Sequence, residues 1–106
     1  MQITIPHAEI NGTVAAPPSK SMAHRAVLCA ALAKGVSRIR NLEFSKDISA
    51  TLAAASQLCA DVETGADSAV VAGLGHFRPV TEAIDCCESG STLRFLIPLA
   101  SLTGQA

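Results

Sequence analysis

The chain has 106 residues, of which 49% are hydrophobic and 16% charged, and its formal net charge is −1. This composition is apolar enough to bury a core, so it excludes intrinsic disorder. The chain has no basic run, Trp or Tyr, which excludes the usual features of a nucleic-acid-binding surface. No apolar run reaches the ~18 residues of a membrane span, and the first ten residues lack the pattern of a signal peptide.

The four cysteines are Cys29, Cys59, Cys86 and Cys87. None belongs to a C-x-x-C pair, and no histidine is spaced to complete a zinc site. We therefore expect structural thiols that pack as small apolar side chains, and no metal. Reduced thiols are typical of the cytosol, so we expect a cytoplasmic protein.

The chain begins with two predicted short strands, at residues 2–5 and 12–16, followed by a helix at residues 19–34. Ser19 is a favourable N-cap, and prolines commonly precede such a helix start. Residues 22–33 are rich in Ala and Leu, which favour helix. Residues 36–42 alternate in polarity and predict a half-buried strand.

A second helix is predicted at residues 47–59, with Ser45 or Asp47 as its cap. Apolar residues three or four apart give this helix a buried stripe that consists of Ile48, Leu52, Ala55 and Leu58. Two short strands follow, at residues 61–64 and 69–72, separated by a turn.

The last predicted elements are a strand at residues 83–87 and a third helix, which starts near residues 89–91 and ends near residue 102. The alternation of strands and helices predicts an α/β arrangement in which helices pack on a sheet. The sequence contains no linker, low-complexity segment or obvious internal repeat.

The start of the first helix has the residues of an anion site. A helix N-terminus has unpaired backbone N–H groups and a partial positive charge, both of which favour phosphate or carboxylate. Lys20 adds an ammonium, while Ser21 and Arg25, four residues apart, add a hydroxyl and a guanidinium on one face. The alternative is an ordinary capped helix with solvated charges. His24 is expected to be structural or exposed rather than a ligand.

The start of the third helix is a second candidate anion site. Residues 86–94 form a small, hydroxyl-rich turn that enters the helix, and Gly90 allows a close approach of the backbone. The sequence is not a Walker loop, because the second glycine and the lysine are missing. The alternative is a helix start that Ser89 or Ser91 merely caps.

Both stretches resemble the motifs of one enzyme family. Pro18-Ser19-Lys20-Ser21, Arg25 and the later Ala30-Ala31-Leu32-Ala33 resemble the amino-terminal signature of the 5-enolpyruvylshikimate-3-phosphate synthases, or 3-phosphoshikimate 1-carboxyvinyltransferases. Gly90-Ser91-Thr92-Leu93-Arg94 resembles the second motif of that family. The distance between the motifs also fits, and the resemblance extends from about Gly12 to the last residue.

The resemblance implies a fold and a domain assignment. Family members have two domains built from repeated βαβαββ units and are several times longer, so the chain is expected to be an amino-terminal fragment. Residues 1–106 would form a partial enolpyruvyl transferase domain, in which residues 1–16 are amino-terminal strands and residues 17–106 are the first βαβαββ unit with its following helix. The expected class is α/β, or α+β-like, with helices on one face of a small mixed sheet.

The resemblance also implies a reaction. The family transfers the enolpyruvyl group of phosphoenolpyruvate to the 5-hydroxyl of shikimate 3-phosphate, in the shikimate pathway to chorismate and the aromatic amino acids. It needs no metal or organic cofactor, and the herbicide glyphosate occupies its phosphoenolpyruvate pocket. Its partners are small-molecule substrates rather than nucleic acid or membrane.

Site residues follow from the resemblance by position. Lys20, Ser21 and Arg25 would bind shikimate 3-phosphate. Lys20, Gly90 and Ser91 would contact phosphoenolpyruvate. Arg94 matches a motif position, but the resemblance assigns it no definite role.

Some positions depart from the family pattern. Pro18 replaces a common Gly, Glu88 stands where many members have Asn, and Ser91 where many have Thr. The acid–base carboxylates of the family lie beyond residue 106, so the chain is expected to contain no catalytic residue and to be inactive alone. The parent is expected to be monomeric, whereas the chain alone is expected to self-associate through exposed apolar surface.

Two other functions fit parts of the pattern. One is the related enolpyruvyl transferase that acts on UDP-N-acetylglucosamine, which is expected to have a Lys-Asn pair at the first motif; Lys20-Ser21 with Arg25 argues against it. The other is a non-catalytic anion-binding α/β module.

Overall fold

The computed structural model describes residues 1–104. Within them lie three helices and three strands, in the order α1 (Lys20–Leu32), β1 (Gly35–Ile39), α2 (Lys46–Leu58), β2 (Ala60–Thr64), β3 (Ala69–Gly73) and α3 (Gly90–Ser101). The predicted fold class is confirmed, and each predicted helix is present with ends within two residues of those expected.

Each helix begins directly after a serine. The serine hydroxyl accepts a hydrogen bond from the backbone N–H three residues later, at 3.1–3.3 Å, in the caps formed by Ser19, Ser45 and Ser89. Such a cap satisfies one of the N–H groups that the first turn leaves without a partner. The three caps therefore fix where α1, α2 and α3 begin.

The sheet has the strand order β1-β3-β2, and both pairs are antiparallel. A tight turn joins β2 to β3, in which the Gly65 N–H donates to the Ser68 carbonyl at 2.8 Å. The expected mixed sheet is therefore corrected to an antiparallel one. The reason is that all its strands come from residues 35–73, and none of the other predicted strands adds a parallel pair.

The two faces of the sheet differ in polarity. On one face Val71 is paired with Ser37 and Val62 and is fully buried. On the other face Arg38 and Glu63 flank Val70, and both charged residues are exposed. Helices α1 and α2 bury their apolar stripes against the first face, and the predicted stripe of α2 lies in the core. These two helices therefore pack on one face, as predicted, whereas the third helix, α3, packs on α2 instead of on the sheet.

A glycine allows α1 to end close to the sheet. A Cβ atom added at Gly73, the last residue of β3, would lie 1.7 Å from the carbonyl oxygen of Ala33. Real side chains do not tolerate this distance, so only glycine fits at this position. The carboxyl end of α1 is thus packed directly on the backbone of β3.

Three predicted strands do not form within residues 1–104. Residues 1–17 are exposed and pair with no strand, because a strand needs a partner for its backbone groups and the sheet offers them none. Residues 83–87 contain a turn instead. Cys87 has a φ of 50°, and its N–H donates to Asp85 Oδ1 at 2.7 Å. This left-handed conformation is incompatible with a strand.

Helix α3 packs on α2 and completes the unit. Thr92 and Leu96 are its buried residues, and Phe95 and Leu99 are half-buried against the core. The start of α3 therefore lies next to α2, whose own start is beside α1. This arrangement brings both predicted motifs to one end of the molecule.

Candidate functional site

The start of α1 presents unpaired donors at the surface. Lys20 and Ser21 are the first two residues of the helix, and both are exposed. Their backbone N–H groups have no intrahelical acceptor, and they lie at the positive end of the helix dipole. This end of α1 therefore has the donors and the dipole that favour an anion, and the binding of an anion here stays a prediction.

Lys20 is paired with a carboxylate of the next helix. Its Nζ lies 3.0 Å from Oδ2 of Asp47, in the first turn of α2. A pocket of about 180 Å³ lies beside this ion pair, and the residues that line it are Pro18, Ser19, Lys20, Ala23, Glu43 and Ser45. The Lys20 ammonium is therefore near a cavity large enough for a phosphate group. The Asp47 carboxylate would compete with such a group for the ammonium.

Ser21 and Arg25 contact each other on one side of α1. The Nη1 of Arg25 donates to the Ser21 carbonyl at 3.0 Å and also to the Ser21 hydroxyl. The guanidinium carbon lies 5.5 Å from the centre of the Phe95 ring in α3, which is within cation–π range. Arg25 is therefore fixed between α1 and α3, while Lys20 turns toward α2.

The start of α3 is open. Gly90 and Ser91 are exposed, and a Cβ atom added at Gly90 would meet no atom within 4 Å. Glu88 and Arg94 are also exposed. The backbone at Gly90 can thus be approached closely, and the carboxylate of Glu88 lies next to this opening in the sequence.

A buried chain of polar side chains joins the two helix starts. His24 Nδ1 lies 2.7 Å from Thr51 Oγ1, which lies 2.7 Å from Thr92 Oγ1. The Thr92 hydroxyl lies in turn 2.6 Å from that of Ser89, the cap of α3. The four side chains are at most 3% exposed. His24 is thus structural, one of the two outcomes predicted for it.

Burial lowers the pKa of His24. The nearby cations Lys20 and Arg25 also lower the pKa, while Asp47 raises it and opposes the shift in part. Since the ordinary value is already about 6.5, the imidazole is neutral at pH 7. A neutral ring has one N–H donor and one acceptor nitrogen.

Sequence reasoning missed Asp47 as the partner of Lys20, and it missed the buried chain. One signal was present: His24, Thr51 and Thr92 fall in phase with the apolar stripes of their helices. Thr51, for example, lies three residues after Ile48 and four before Ala55, both of which are buried. A polar residue at such a position needs a buried partner, but the sequence does not say which.

The cysteines are free thiols. Cys59 is buried, as expected for a small apolar side chain, and burial raises its pKa. Cys29 and Cys87 are exposed instead, since they lie on the solvent sides of α1 and of the turn before α3.

In the part of the chain that the structure describes, no cluster of three or more His, Cys, Asp or Glu side chains is arranged to bind a metal ion. None of the described helices has the length and apolar character required to cross a membrane.

Fold and site together define an α/β unit whose helix starts display cationic and hydroxyl side chains. Comparison with known proteins assigns the unit to a family. The sequence profile of EPSP synthase (3-phosphoshikimate 1-carboxyvinyltransferase) matches residues 5–106. The chain belongs to the EPSP synthase family, as its two motifs predicted.

Individual relatives support the same assignment. The 3-phosphoshikimate 1-carboxyvinyltransferase of Clostridium beijerinckii is 48% identical over 101 residues, which cover 89% of this chain and 23% of that protein. The enzymes of the same name from Clostridium perfringens and Clostridium kluyveri are each 44% identical, over 93% and 97% of this chain. The chain spans about a quarter of the length of these relatives, 24% for the latter two.

Proposed function

We propose that this chain supplies substrate-binding residues to a 3-phosphoshikimate 1-carboxyvinyltransferase. The enzyme would transfer the enolpyruvyl group of phosphoenolpyruvate to the 5-hydroxyl of shikimate 3-phosphate and release phosphate. The observation that carries the proposal is the α1 start, where the anion-binding residues of the family motif are exposed at the positive end of a helix.

Shikimate 3-phosphate is proposed to bind at this helix start. Arg25, which is braced by Ser21 and Phe95, offers a preoriented guanidinium to the phosphate. Ser21 offers its hydroxyl and its backbone N–H. Lys20 would exchange its pairing with Asp47 for the incoming anion.

Phosphoenolpyruvate is proposed to bind where α3 begins. The open space at Gly90 permits a ligand to approach the backbone, and the first N–H groups of α3 are available to an anion. Ser91 adds a hydroxyl, and Lys20 is proposed to contact this substrate as well. Arg94 is proposed to belong to the same region.

The proposed role of the chain is binding and orientation. Proton transfers during addition and elimination need acid–base groups, and these are proposed to come from the remaining part of an enzyme with the length of the relatives. The chain alone is therefore proposed to be inactive. Free thiols support a cytoplasmic location, and the proposed partners are the two small-molecule substrates.

A chimera tests the proposed activity. In the Clostridium beijerinckii relative, the segment that matches this chain is replaced by residues 1–106, and the gene is introduced into a bacterium that lacks its own enzyme and requires aromatic amino acids. We expect growth without the supplement, and loss of growth with Lys20→Ala but not with Lys34→Ala. A soluble chimera with no turnover would contradict the proposal.

Titration of the 106-residue chain with shikimate 3-phosphate tests the binding site. We expect NMR shifts centred on residues 19–25 that fade in Arg25→Ala. Arg38→Ala removes the same charge from the exposed face of the sheet and serves as the matched control. Shifts scattered away from α1, or lost equally in both variants, would count against the site.

A further inference from the structure

Two cysteines are adjacent in the turn before α3. Cys86 is half-buried and packs against the core, whereas Cys87 is exposed. The Ser89 N–H donates to the Cys86 carbonyl at 3.0 Å and closes the turn, in which Cys87 has a φ of 50°. The proposed function uses neither thiol. The turn therefore holds a pair of thiophilic ligands for which the substrate sites give no reason.

The two thiols are close enough to influence each other. Burial raises the pKa of Cys86, and the negative charges of Asp85 and of the Cys87 thiolate raise it further. Because the interaction between charges falls with distance, this effect places the two sulfur atoms near each other. The cysteines therefore act as a pair, and the Cys86 thiol is protonated at neutral pH.

A disulfide between these two cysteines is disfavoured. The peptide bond that joins them is trans, so their Cα atoms are about 3.8 Å apart, whereas disulfides usually join Cα atoms about 4.4–6.8 Å apart. Oxidation by a peroxide also begins with a thiolate, which the raised pKa of Cys86 makes scarce. The pair is thus better suited to a ligand that bridges the sulfur atoms and reacts with protonated thiols.

Trivalent arsenic meets both requirements. It forms three bonds in a pyramid, with bond angles not far above a right angle, so two neighbouring thiols and one outer group complete its coordination. An inserted arsenic atom also enlarges the ring that a disulfide would close. Zinc, by contrast, takes four ligands in structural sites, and within residues 1–104 no group of three or more His, Cys, Asp or Glu is arranged to hold an ion.

We propose that Cys86 and Cys87 form a binding site for a trivalent arsenical. The reaction is a ligand exchange in which an arsenical R–As=O and two thiols give R–As(SR′)2 and one water. Two As–S bonds form, two S–H bonds break, and both protons leave with the oxide oxygen. Arsenic remains trivalent, so the step needs no oxidant or reductant.

The position of the pair gives the adduct a consequence for the start of α3. Cys87 precedes Gly90 by three residues, and Gly90 and Ser91 are both exposed. An arsenical on the turn would obstruct the approach of an anion to the first N–H groups of the helix. This consequence rests on the proposed function, whereas the dithiol site itself does not.

Phenylarsine oxide is the probe for the site. It is titrated into the 106-residue chain, which a phosphine keeps reduced, and intact-mass spectrometry counts the phenylarsenic groups. We expect one group per chain, which millimolar glutathione leaves in place and dithiothreitol removes. Cys86→Ser and Cys87→Ser should each lower the apparent affinity about 10²–10⁴-fold, because the second As–S bond no longer forms within one molecule.

Cys29→Ser is the matched control, because it removes an exposed thiol from α1. This variant should retain the wild-type affinity. Peptide mapping of the wild-type adduct locates the arsenic without any substitution and should place it on the peptide that contains Cys86 and Cys87. Arsenic on Cys29 or Cys59, or equal affinities in Cys87→Ser and the wild type, would overturn the site.

The chimeric enzyme tests the consequence for α3. We expect phenylarsine oxide to inhibit its turnover and saturating phosphoenolpyruvate to slow the inhibition. Cys87→Ser should keep the basal turnover and resist the arsenical, and since all other cysteines are the same in both proteins, the difference reports on the turn. Equal inhibition of the two would overturn the obstruction of α3. A chimera without turnover would count against the proposed function, while the adduct on the 106-residue chain would still decide the dithiol site.

Discussion

The Nζ of Lys20 lies 3.0 Å from the Oδ2 of Asp47, although the two residues are 27 positions apart in the sequence. The pair joins the first turn of α1 to the first turn of α2. The ion pair gives the Lys20 side chain a defined direction, and an anion that bound at this helix start would have to compete with the Asp47 carboxylate.

Neutralising this carboxylate should strengthen anion binding. Asp47→Asn removes the competitor of Lys20, and we expect phosphate affinity at the α1 start to rise about two- to fivefold, as for a partly exposed ion pair. The variant should lose about 0.3–1 kcal/mol of stability, because an acid in the first turn of α2 is removed. Glu63→Gln makes the same charge change on the exposed sheet face, and an equal gain in that control would contradict the prediction.

The Phe95 ring should contribute to the affinity through Arg25. Phe95→Leu keeps an apolar side chain next to the core but removes the cation–π contact. We expect binding of shikimate 3-phosphate to weaken about two- to fivefold, as measured by NMR titration. Phe77→Leu, another half-buried phenylalanine that is remote from Arg25 in the contacts described, should have no such effect. Unchanged binding in Phe95→Leu would remove the ring from the site.

Substitution by alanine should have different effects on the stability of the chain at two of its glycines. Gly73→Ala should destabilise the chain by more than about 3 kcal/mol, because the new methyl group would overlap the Ala33 carbonyl. Gly90→Ala should leave stability unchanged or raise it by up to ~1 kcal/mol, since it adds a methyl group in open space. Chemical denaturation measures both effects.

In the chimeric enzyme the same Gly90→Ala change should weaken glyphosate more than shikimate 3-phosphate. The reason is that the added methyl group would lie in the open space where phosphoenolpyruvate is proposed to approach the backbone at the start of α3. Inhibition curves and substrate saturation measure the two effects. An unchanged response to glyphosate would exclude Gly90 from the pocket.

Stability should depend on pH through His24. Its pKa is lower in the folded chain than in the unfolded chain, chiefly because the ring is buried. Below the unfolded value of about 6.5, the unfolded state binds more protons, so the free energy of unfolding should fall as the pH falls toward the folded pKa. Above this range, the contribution of His24 to the free energy of unfolding should not change with pH. Denaturation curves between pH 5 and 8 give the free energy of unfolding, which should change less with pH in His24→Asn than in the wild type. An equal change with pH in both proteins would contradict the prediction.

The chain alone should self-associate at high concentration. Leu93 and Ile97 of α3 are 50% and 61% exposed and lie four residues apart, so they form an apolar strip on one side of the helix. Light scattering should detect association near millimolar concentration, and Ile97→Gln should reduce it. Ser49→Gln on the exposed side of α2 is the control. A monomer at millimolar concentration would contradict this expectation.

The sequence predicted the helices well because their signals are local. Ser19, Ser45 and Ser89 cap the three helices, and each cap acts over three residues. The position of Ser21 and Arg25 on one face of α1 was predicted for the same reason, since they are one helical turn apart, and the structure adds the hydrogen bond between them.

Prediction was wrong where a distant partner decides the structure. Residues 2–5 and 12–16 have strand-like sequences, but within residues 1–104 no strand pairs with them. The links from Lys20 to Asp47 and from Thr51 to Thr92 span 27 and 41 residues. Thr51 lies in phase with the buried stripe of α2, a signal that the sequence analysis did not use, and only the packing of three helices determines that His24 and Thr92 are its partners.

The sparse attachment of α3 has a consequence for hydrogen exchange. Thr92 and Leu96 are the buried residues of this helix, whereas α1 and α2 each bury several side chains against the sheet. The amides of α3 should therefore exchange through a partial opening that costs less than global unfolding. In that opening we expect α3 to move away as one cooperative unit, from Gly90 onward, while α1, α2 and the sheet remain folded. A ligand that contacts both helix starts would close this opening, and its binding would appear as slower exchange along the whole of α3.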